Sequence, residues 1–256
     1  MVGAVIVQGG EVVGEGYHGE WGGPHAEVEA LKAAGDRATG ATLYVTLEPC
    51  HHQGKTGPCS RAIRDAGISR VVYAVGEANP EAQGGAAWLR AQGIIAEQGA
   101  CEQEAADLNA VHLNAHRRRC PYLALKYAMS LDGRLAEAPG RPTRLTHGDA
   151  IVEAHRLRAG YDAVMVGIGT VLADDPLLTV REWEAPRLPP RRVVLDGDLR
   201  TPLATRLVAS AREVPVLIVG AEDAPAERAR RLAEAGLDVR RVPRLPAGGL
   251  DLGAVL

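Results

Sequence analysis

The 256-residue chain contains no phenylalanine, and aromatic residues make up only 4% of it. Single-stranded nucleic acids are gripped largely by stacking bases on aromatic rings, so this scarcity weighs against a nucleic-acid-editing enzyme. A positive charge balance is missing as well. The formal net charge is −3, which supplies no general attraction to nucleic acid or anionic lipid. No apolar run approaches the ~20 residues that span a bilayer. Met1 to Val7 lacks the basic flank and apolar length of a signal peptide. The expectation is a cytoplasmic protein with neither membrane nor nucleic-acid partners. Cysteine is also sparse, at four residues. Without an export signal, metal or catalytic roles suit these cysteines better than two disulfides. What is present in quantity is ordinary: 46% apolar and 24% charged residues, enough to bury one or two cores.

Along the chain, strand-like and helix-like segments alternate, which predicts an α/β layer architecture. Val2–Val7, Gly9-Gly10 and Glu11–Val13 read as a β-hairpin with a glycine turn. Trp21-Gly22-Gly23-Pro24 breaks the pattern, with Pro24 suited to a first helical position, and Gly35 is placed to cap the Ala-, Glu- and Leu-rich run that follows. Thr42–Thr46 and Arg70–Val75 read as strands, with a helix opened by Pro58 and stopped by Gly67 between them. A basic run at His116-Arg117-Arg118-Arg119 reads as a solvated helix end or linker. Tyr122–Met129 then reads as the start of a new strand, and Asp149–Arg158 as a helix. Further strands are expected at Ala163–Val166, Arg192–Leu195, Val214–Val219 and Val239–Val242, with a helix at Ala224–Ala235. The domain boundary therefore falls near residue 120.

Chemistry concentrates in three pieces of the first half: His25-Ala26-Glu27, Glu48-Pro49-Cys50 and Pro58-Cys59. A catalytic zinc takes three protein ligands and leaves one position open for water. One imidazole (His25) and two thiolates (Cys50 and Cys59) meet that need, and Zn2+ lowers the pKa of its water toward neutrality. Hydrolytic deamination also requires a carboxylate near the metal but not on it to move protons, and Glu27 is the candidate. Cys59 in the first turn of a helix would be favoured as thiolate by the helix dipole. Mid-helix, His25 and Glu27 would diverge; only near a helix start can both face one site. Singly, each ligand has a bland reading, since a lone cysteine is usually a small buried hydrophobe. Jointly, in this order and with proline before each cysteine, they match the H-x-E…P-C zinc-deaminase pattern. The departure is the long interval between Cys50 and Cys59, which tells against the cytidine and tRNA-adenosine branches.

That interval is what makes the resemblance specific. The segments Met1–Val7, Gly14–His18, Pro24–Glu27 and Tyr44–Cys59 resemble the bifunctional riboflavin-biosynthesis deaminase/reductase family. The likeness continues through Leu125–Arg134, Gly169–Pro176 and Leu178–Arg181, so it covers nearly the whole chain. It implies a cytidine-deaminase-like three-layer α/β/α domain over residues 1–118, then a dihydrofolate-reductase-like α/β domain over 121–256. It implies two reactions on a small pyrimidine ribosyl phosphate. The zinc site hydrolyses the 2-amino group of 2,5-diamino-6-(5-phosphoribosylamino)pyrimidin-4-one, and NADPH then reduces the ribosyl group to ribityl. Carried over residue by residue, NADPH contacts fall on Ala128, Thr170 and Asp174, and substrate contacts on Arg158, Leu178 and Arg181. Paired arginine donors suit a ribose phosphate, while surface salt bridges are their ordinary alternative. His52, Lys55 and Thr56 on the inter-ligand loop, and His18 after the hairpin, are further substrate candidates. His51 and His52 are equally readable as surface loop residues, His18 as a satisfied structural histidine, and Cys101 and Cys120 as structural. The family also implies a homo-oligomer.

Three departures accompany the likeness. The family's first helix and its Asn-Pro motif are expected before Val2-Gly3. Pro142-Thr143-Arg144-Leu145-Thr146 stands where Ser-Lys-Trp-Ile-Thr is usual. The chain also stops at Leu256, short of the glycine-rich cofactor loop and last strands of the reductase. A fragment of a bifunctional enzyme is the expectation. The alternatives are deaminase activity alone, another small-base deaminase, or a structural zinc module.

Overall fold

The computed structural model describes residues 1–20, 22–99, 101–138 and 143–256, and divides the chain into two compact units, Met1–Ala124 and Leu125–Leu256. The first is built on a mixed five-stranded sheet of order β2-β1-β3-β4-β5. β1 (Gly3–Gln8) and β2 (Glu11–Tyr17) form the hairpin across Gly9-Gly10, both at positive φ. β3 (Thr42–Leu47) runs antiparallel to β1, and β4 (Arg70–Val75) and β5 (Ile95–Gln98) continue in parallel from it. Parallel neighbours need crossovers. These are α2 (Cys59–Asp65) between β3 and β4, and α3 (Gly85–Ala91) between β4 and β5.

Helix α1 (Ala26–Ala34), α2 and α3 cover one face of this sheet. Ala26, Ala30, Ile63 and Leu89 pack there on Ala4, Ile6, Leu43, Val45, Val71 and Tyr73. On the other face α4 (Glu102–Leu108) and α5 (Ala110–Arg118) bring Ala105 and Leu113 against Leu47, Ala74 and Val75. The basic run falls in the last turn of α5, where cations meet the negative helix end, and Arg119 caps it at φ 53.

Helix α1 lies unusually close to β2. A Cβ on Gly16 would sit 2.4 Å from Ala26 O and 2.4 Å from Ala30 N, and one on Gly14 2.3 Å from Ala30 O. Alanines on the helix and glycines on the strand make this approach possible, and it fixes the helix start that carries the candidate site. Gly16→Ala is therefore expected to cost about 1–3 kcal/mol through overpacking. The check is the urea midpoint: an unchanged midpoint would mean that α1 is free to shift.

The second unit has a four-stranded, all-parallel sheet ordered β6 (Ala163–Gly167), β7 (Arg191–Leu195), β8 (Val216–Ala221), β9 (Asp238–Val242). α6 (Asp149–Ala159) leads into it, and α7 (Ile168–Asp174), α8 (Arg206–Ala209) and α9 (Ala226–Glu234) fill the crossovers. Val171, Leu207 and Leu232 from these helices bury Val194, Val216 and Ile218, while Val193, Val219 and Val242 form a second cluster with Leu250. The near-continuous apolar run of the central strand β8 is what a parallel strand buried on both faces requires, while β9 at the edge carries Asp238, Arg240 and Arg241.

One expected strand does not form. Tyr122–Met129 forms no regular secondary structure and has no strand partner among the described residues, and Leu123, Leu125, Tyr127 and Met129 are exposed. Alternation of side chains suits a strand, but ladder hydrogen bonds need a neighbour, and here none is paired. Of the unusual segment at 142–146, Pro142 lies outside the described residues.

Candidate metal centre and companion anion site

Three elements converge on the metal-ligating residues. His25 is the N-cap of α1, with extended backbone (φ −73, ψ 159), so its ring leaves the helix before helical geometry begins. Helix α1 starts at Ala26, two residues later than a helix opened by Pro24 would, and Glu27 falls in its first turn. This placement allows two residues at i and i+2 to face one site. Cys50 follows β3 on a tightly held loop. The Glu48 carboxylate accepts from Glu77 N (3.2 Å) and from Ala86 N (3.0 Å), and His51 N donates to Ala82 O (3.0 Å). Pro49 is pressed against α3, where a Cβ on Gly85 would lie 1.7 Å from Pro49 O. Pro58 caps α2 and leaves Cys59 as its first residue.

The result is a compact donor set. His25 Nδ1 lies 3.2 Å from Cys59 Sγ and 3.5 Å from Cys50 Sγ, and the three donor atoms are all within 4.8 Å of one another. Bond lengths of about 2.3 Å to sulfur and 2.0–2.1 Å to nitrogen place tetrahedral neighbours about 3.5–3.8 Å apart, so these residues fit a zinc ion. Both cysteines are buried. Hydrogen bonding from the Cys59 thiol, with help from His25, holds Cys50 well below the ordinary thiol range, and the same shared bond raises Cys59. Among the described residues this is the one His/Cys/carboxylate cluster close enough to ligate a metal.

Glu27 is only 3% exposed. Burial pushes its carboxyl up to about 7, against the opposing pull of its backbone hydrogen bond. A divalent cation alongside would draw it down again.

Beside the triad is a pocket of about 230 Å3, lined by His18, His25, His52, Lys55 and Thr56 together with glycines. The structure separates the two adjacent histidines that sequence reading left together. His51 turns away, with Nδ1 2.8 Å from Ser60 Oγ and its ring stacked on Trp88 at 5.0 Å. His52 faces the pocket, and its Nδ1 is buried without a hydrogen-bond partner. His18 stands edge-on to His25, at 5.5 Å between ring centroids, with Nδ1 2.9 Å from Pro24 O. Ser60 and Trp88, which hold His51, carry no motif that would have singled them out, and Glu48 stands in the Glu-Pro-Cys piece without its bracing role being readable.

A half-buried histidine–carboxylate hydrogen bond supports the same loop from behind. Glu77, whose backbone N–H reaches Glu48, accepts from His112 Nε2 on α5 at 2.8 Å. Burial raises the Glu77 carboxyl, but His112 and the Asn79 N–H outweigh it and leave the group below its ordinary value. A carboxyl depressed in the folded state contributes stability above its unfolded pKa, and this is lost as pH falls through the folded value. We expect Glu77→Gln to lower the melting temperature near neutrality and to flatten its fall in acid. Parallel melting curves for both proteins between pH 7 and pH 3 would contradict this.

In the second unit, Arg158 at the end of α6 and Arg181 converge on one residue. Arg158 donates to Thr179 O at 2.6 Å, and Arg181 to Thr179 O at 3.2 Å and Oγ1 at 3.0 Å. Among the described residues neither guanidinium pairs with a carboxylate. Burial, and then the Arg181 charge, lower the Arg158 pKa. Leu178 between them is buried and held at φ 56, a costly conformation for a branched residue. Thr170 and Asp174 lie one turn apart on one exposed side of α7, and Ala128 lies in the irregular 122–129 segment. Cys101 is exposed and Cys120 half-buried, and neither joins the metal donors.

A His/Cys/Cys triad with both cysteines buried and a carboxylate beside it, on a mixed sheet carrying helices on both faces, defines a zinc-binding domain of the cytidine-deaminase type, in a chain that carries a second α/β domain. Residues 1–75 match the cytidine and deoxycytidylate deaminase zinc-binding region, and residues 121–256 match the RibD C-terminal domain. The chain belongs to the RibD family. It is 44% identical to the riboflavin biosynthesis protein RibD of Aquifex aeolicus over 93% of its own length and 66% of the relative's. The RibD of Escherichia coli is 44% identical over 84% of this chain and 59% of its own length. Among solved structures, RibD of Acinetobacter baumannii superposes with a TM-score of 0.78 at 40% identity, covering 96% of this chain and 68% of that one. The diaminohydroxyphosphoribosylaminopyrimidine deaminase/5-amino-6-(5-phosphoribosylamino)uracil reductase of Thermotoga maritima gives 0.77 at 35% identity, covering 93% and 66%. The chain thus spans about two thirds or less of the curated relatives it matches.

Proposed function

We propose that the first unit deaminates 2,5-diamino-6-(5-phosphoribosylamino)pyrimidin-4-one and that the second binds NADPH to reduce the ribosyl side chain to ribityl, in a cytoplasmic homo-oligomer. The observation that carries the first half is the donor triad with buried Glu27 against it, and with its His25 lining a small pocket. Zinc, when held by His25, Cys50 and Cys59, supplies an activated water as nucleophile. Glu27 takes the proton released at the nucleophile and delivers it to the ring nitrogen and the departing amine. Its burial keeps that proton from exchanging with bulk solvent, and its place outside the donor set leaves both oxygens for proton transfer. His52, which lines the pocket and has a buried ring nitrogen without a partner, and His18 orient the pyrimidine edge, while Lys55 and Thr56 line the same pocket on the inter-ligand loop.

For the second half, the support is the pair of guanidiniums without a carboxylate. Two like charges drawn to one carbonyl are best stabilised by an incoming anion, and a ribose phosphate fits. Thr170, Asp174 and Ala128 are assigned to NADPH, the first at the C-terminal edge of the parallel sheet where such ligands bind. The test is ammonia release from the diamino-pyrimidinone phosphate by zinc-loaded protein, followed by addition of NADPH. Ammonia release, then NADPH oxidation, is the expected sequence. Ammonia without oxidation would remove the reductase assignment from this chain, and no ammonia from zinc-loaded protein would remove the deaminase.

A further inference from the structure

His155 sits on α6, buried at 4% exposure and one helical turn before Arg158. Its Nδ1 lies 3.0 Å from the backbone nitrogen of Arg181 and 3.5 Å from Arg158 Nη1. Both neighbours can only donate, so Nδ1 must be the bare, accepting nitrogen and any ring proton must sit on Nε2. The imidazole therefore ties the helix bearing one guanidinium to the backbone bearing the other. Helix α6 and the loop following Leu178 meet through two links, the His155–Arg181 bond and the Arg158–Thr179 bond, and both clamp arginines depend on them.

We infer that His155 is a positioning residue whose neutral ring sets the spacing of Arg158 and Arg181 and so builds the binding site for a phosphate-bearing ligand. The inference rests on the reading of those arginines as an anion clamp. Burial and the two flanking guanidiniums disfavour a charged ring, in keeping with its role as acceptor. A protonated imidazole would place a third positive charge in the cluster and push the Arg181 N–H away. Glu182 is the one acidic group that pulls the other way. Without the ring, the Arg181 N–H loses its acceptor and the loop is free to carry its guanidinium away from Arg158.

The experiment is a titration of the full chain with ribose 5-phosphate, comparing wild type with R158M, R181M, H155N and H155L. Asparagine can present its Oδ1 where Nδ1 stood, whereas leucine fills the space without an acceptor. The expected result is saturable binding that is lost in both arginine variants, close to wild type in H155N and weakened about tenfold in H155L. Binding that needs the arginines but is unchanged in H155L would overturn the role of His155 and leave the clamp standing. No binding by wild type, or binding indifferent to both arginines, would remove the clamp and this inference with it. If H155L does not fold, the 15N spectrum of the wild-type imidazole decides. An unprotonated Nδ1 whose resonance shifts on adding ribose 5-phosphate supports the assignment. A protonated Nδ1, or one that does not respond, overturns it.

Discussion

Glu27→Gln is expected to reduce ammonia release about a thousandfold while leaving the zinc content at one ion per chain. Glutamine keeps the size of the side chain and its seat in the first turn of α1, but it can neither accept the proton from the nucleophile nor hand it on. Glu27 is 3% exposed, so bulk water has little access to stand in for it. The expected signature is a fall in kcat with KM nearly unchanged, because the group acts on protons in flight and not on the bound ring. Full turnover by the variant would eliminate the mechanism. Loss of zinc from it would show that Glu27 is a structural part of the centre.

Cys59→Ser carries the second large effect. Cys59 is the first residue of α2 and fully buried, and it meets His25 Nδ1 at 3.2 Å while its own N–H lies 3.4 Å from Cys50 Sγ. A serine hydroxyl is not deprotonated by zinc as readily as a thiol, so the site falls to two effective ligands. Metal that binds only the folded chain adds stability as RT ln(1 + [L]/Kd), about 4 kcal/mol when zinc exceeds Kd a thousandfold. Losing that contribution should lower the melting temperature of the variant to that of chelator-treated wild type, and dialysis should leave it without zinc. If Cys59→Ser kept one zinc per chain and an unchanged melting temperature, the triad would not be the metal centre.

The sequence reveals the metal centre more fully than it reveals the fold around it. His25, Cys50 and Cys59 stand out because their residue types are rare in the chain and each is preceded by proline, and the ligand chemistry admits few other uses. The strands β3, β4, β7 and β9 are readable within a residue or two, since runs such as Arg70–Val75 are rich in valine and bounded by turn residues. β2 was underestimated. It continues past Val13 through Gly14-Glu15-Gly16, where glycine lowers strand propensity but is needed for the approach of α1. The divergent fates of His51 and His52 are not visible in the sequence, because they turn on the tertiary contacts of His51 with Ser60 and with Trp88. Tyr122–Met129 misleads for a related reason: a strand-like composition describes one segment, while pairing needs two. His155 is hidden in a polar helix run, and only the fold brings Arg181 to it.

The central claim, a zinc ion bound by one imidazole and two thiolates with one position left for water, is tested most directly by zinc K-edge X-ray absorption on the zinc-loaded protein. The account predicts two sulfur neighbours near 2.3 Å and two nitrogen or oxygen neighbours near 2.0–2.1 Å, one of which is exchangeable solvent. Four protein ligands with no solvent, or a shell without two sulfurs, would contradict it and leave a structural metal site in place of a catalytic one.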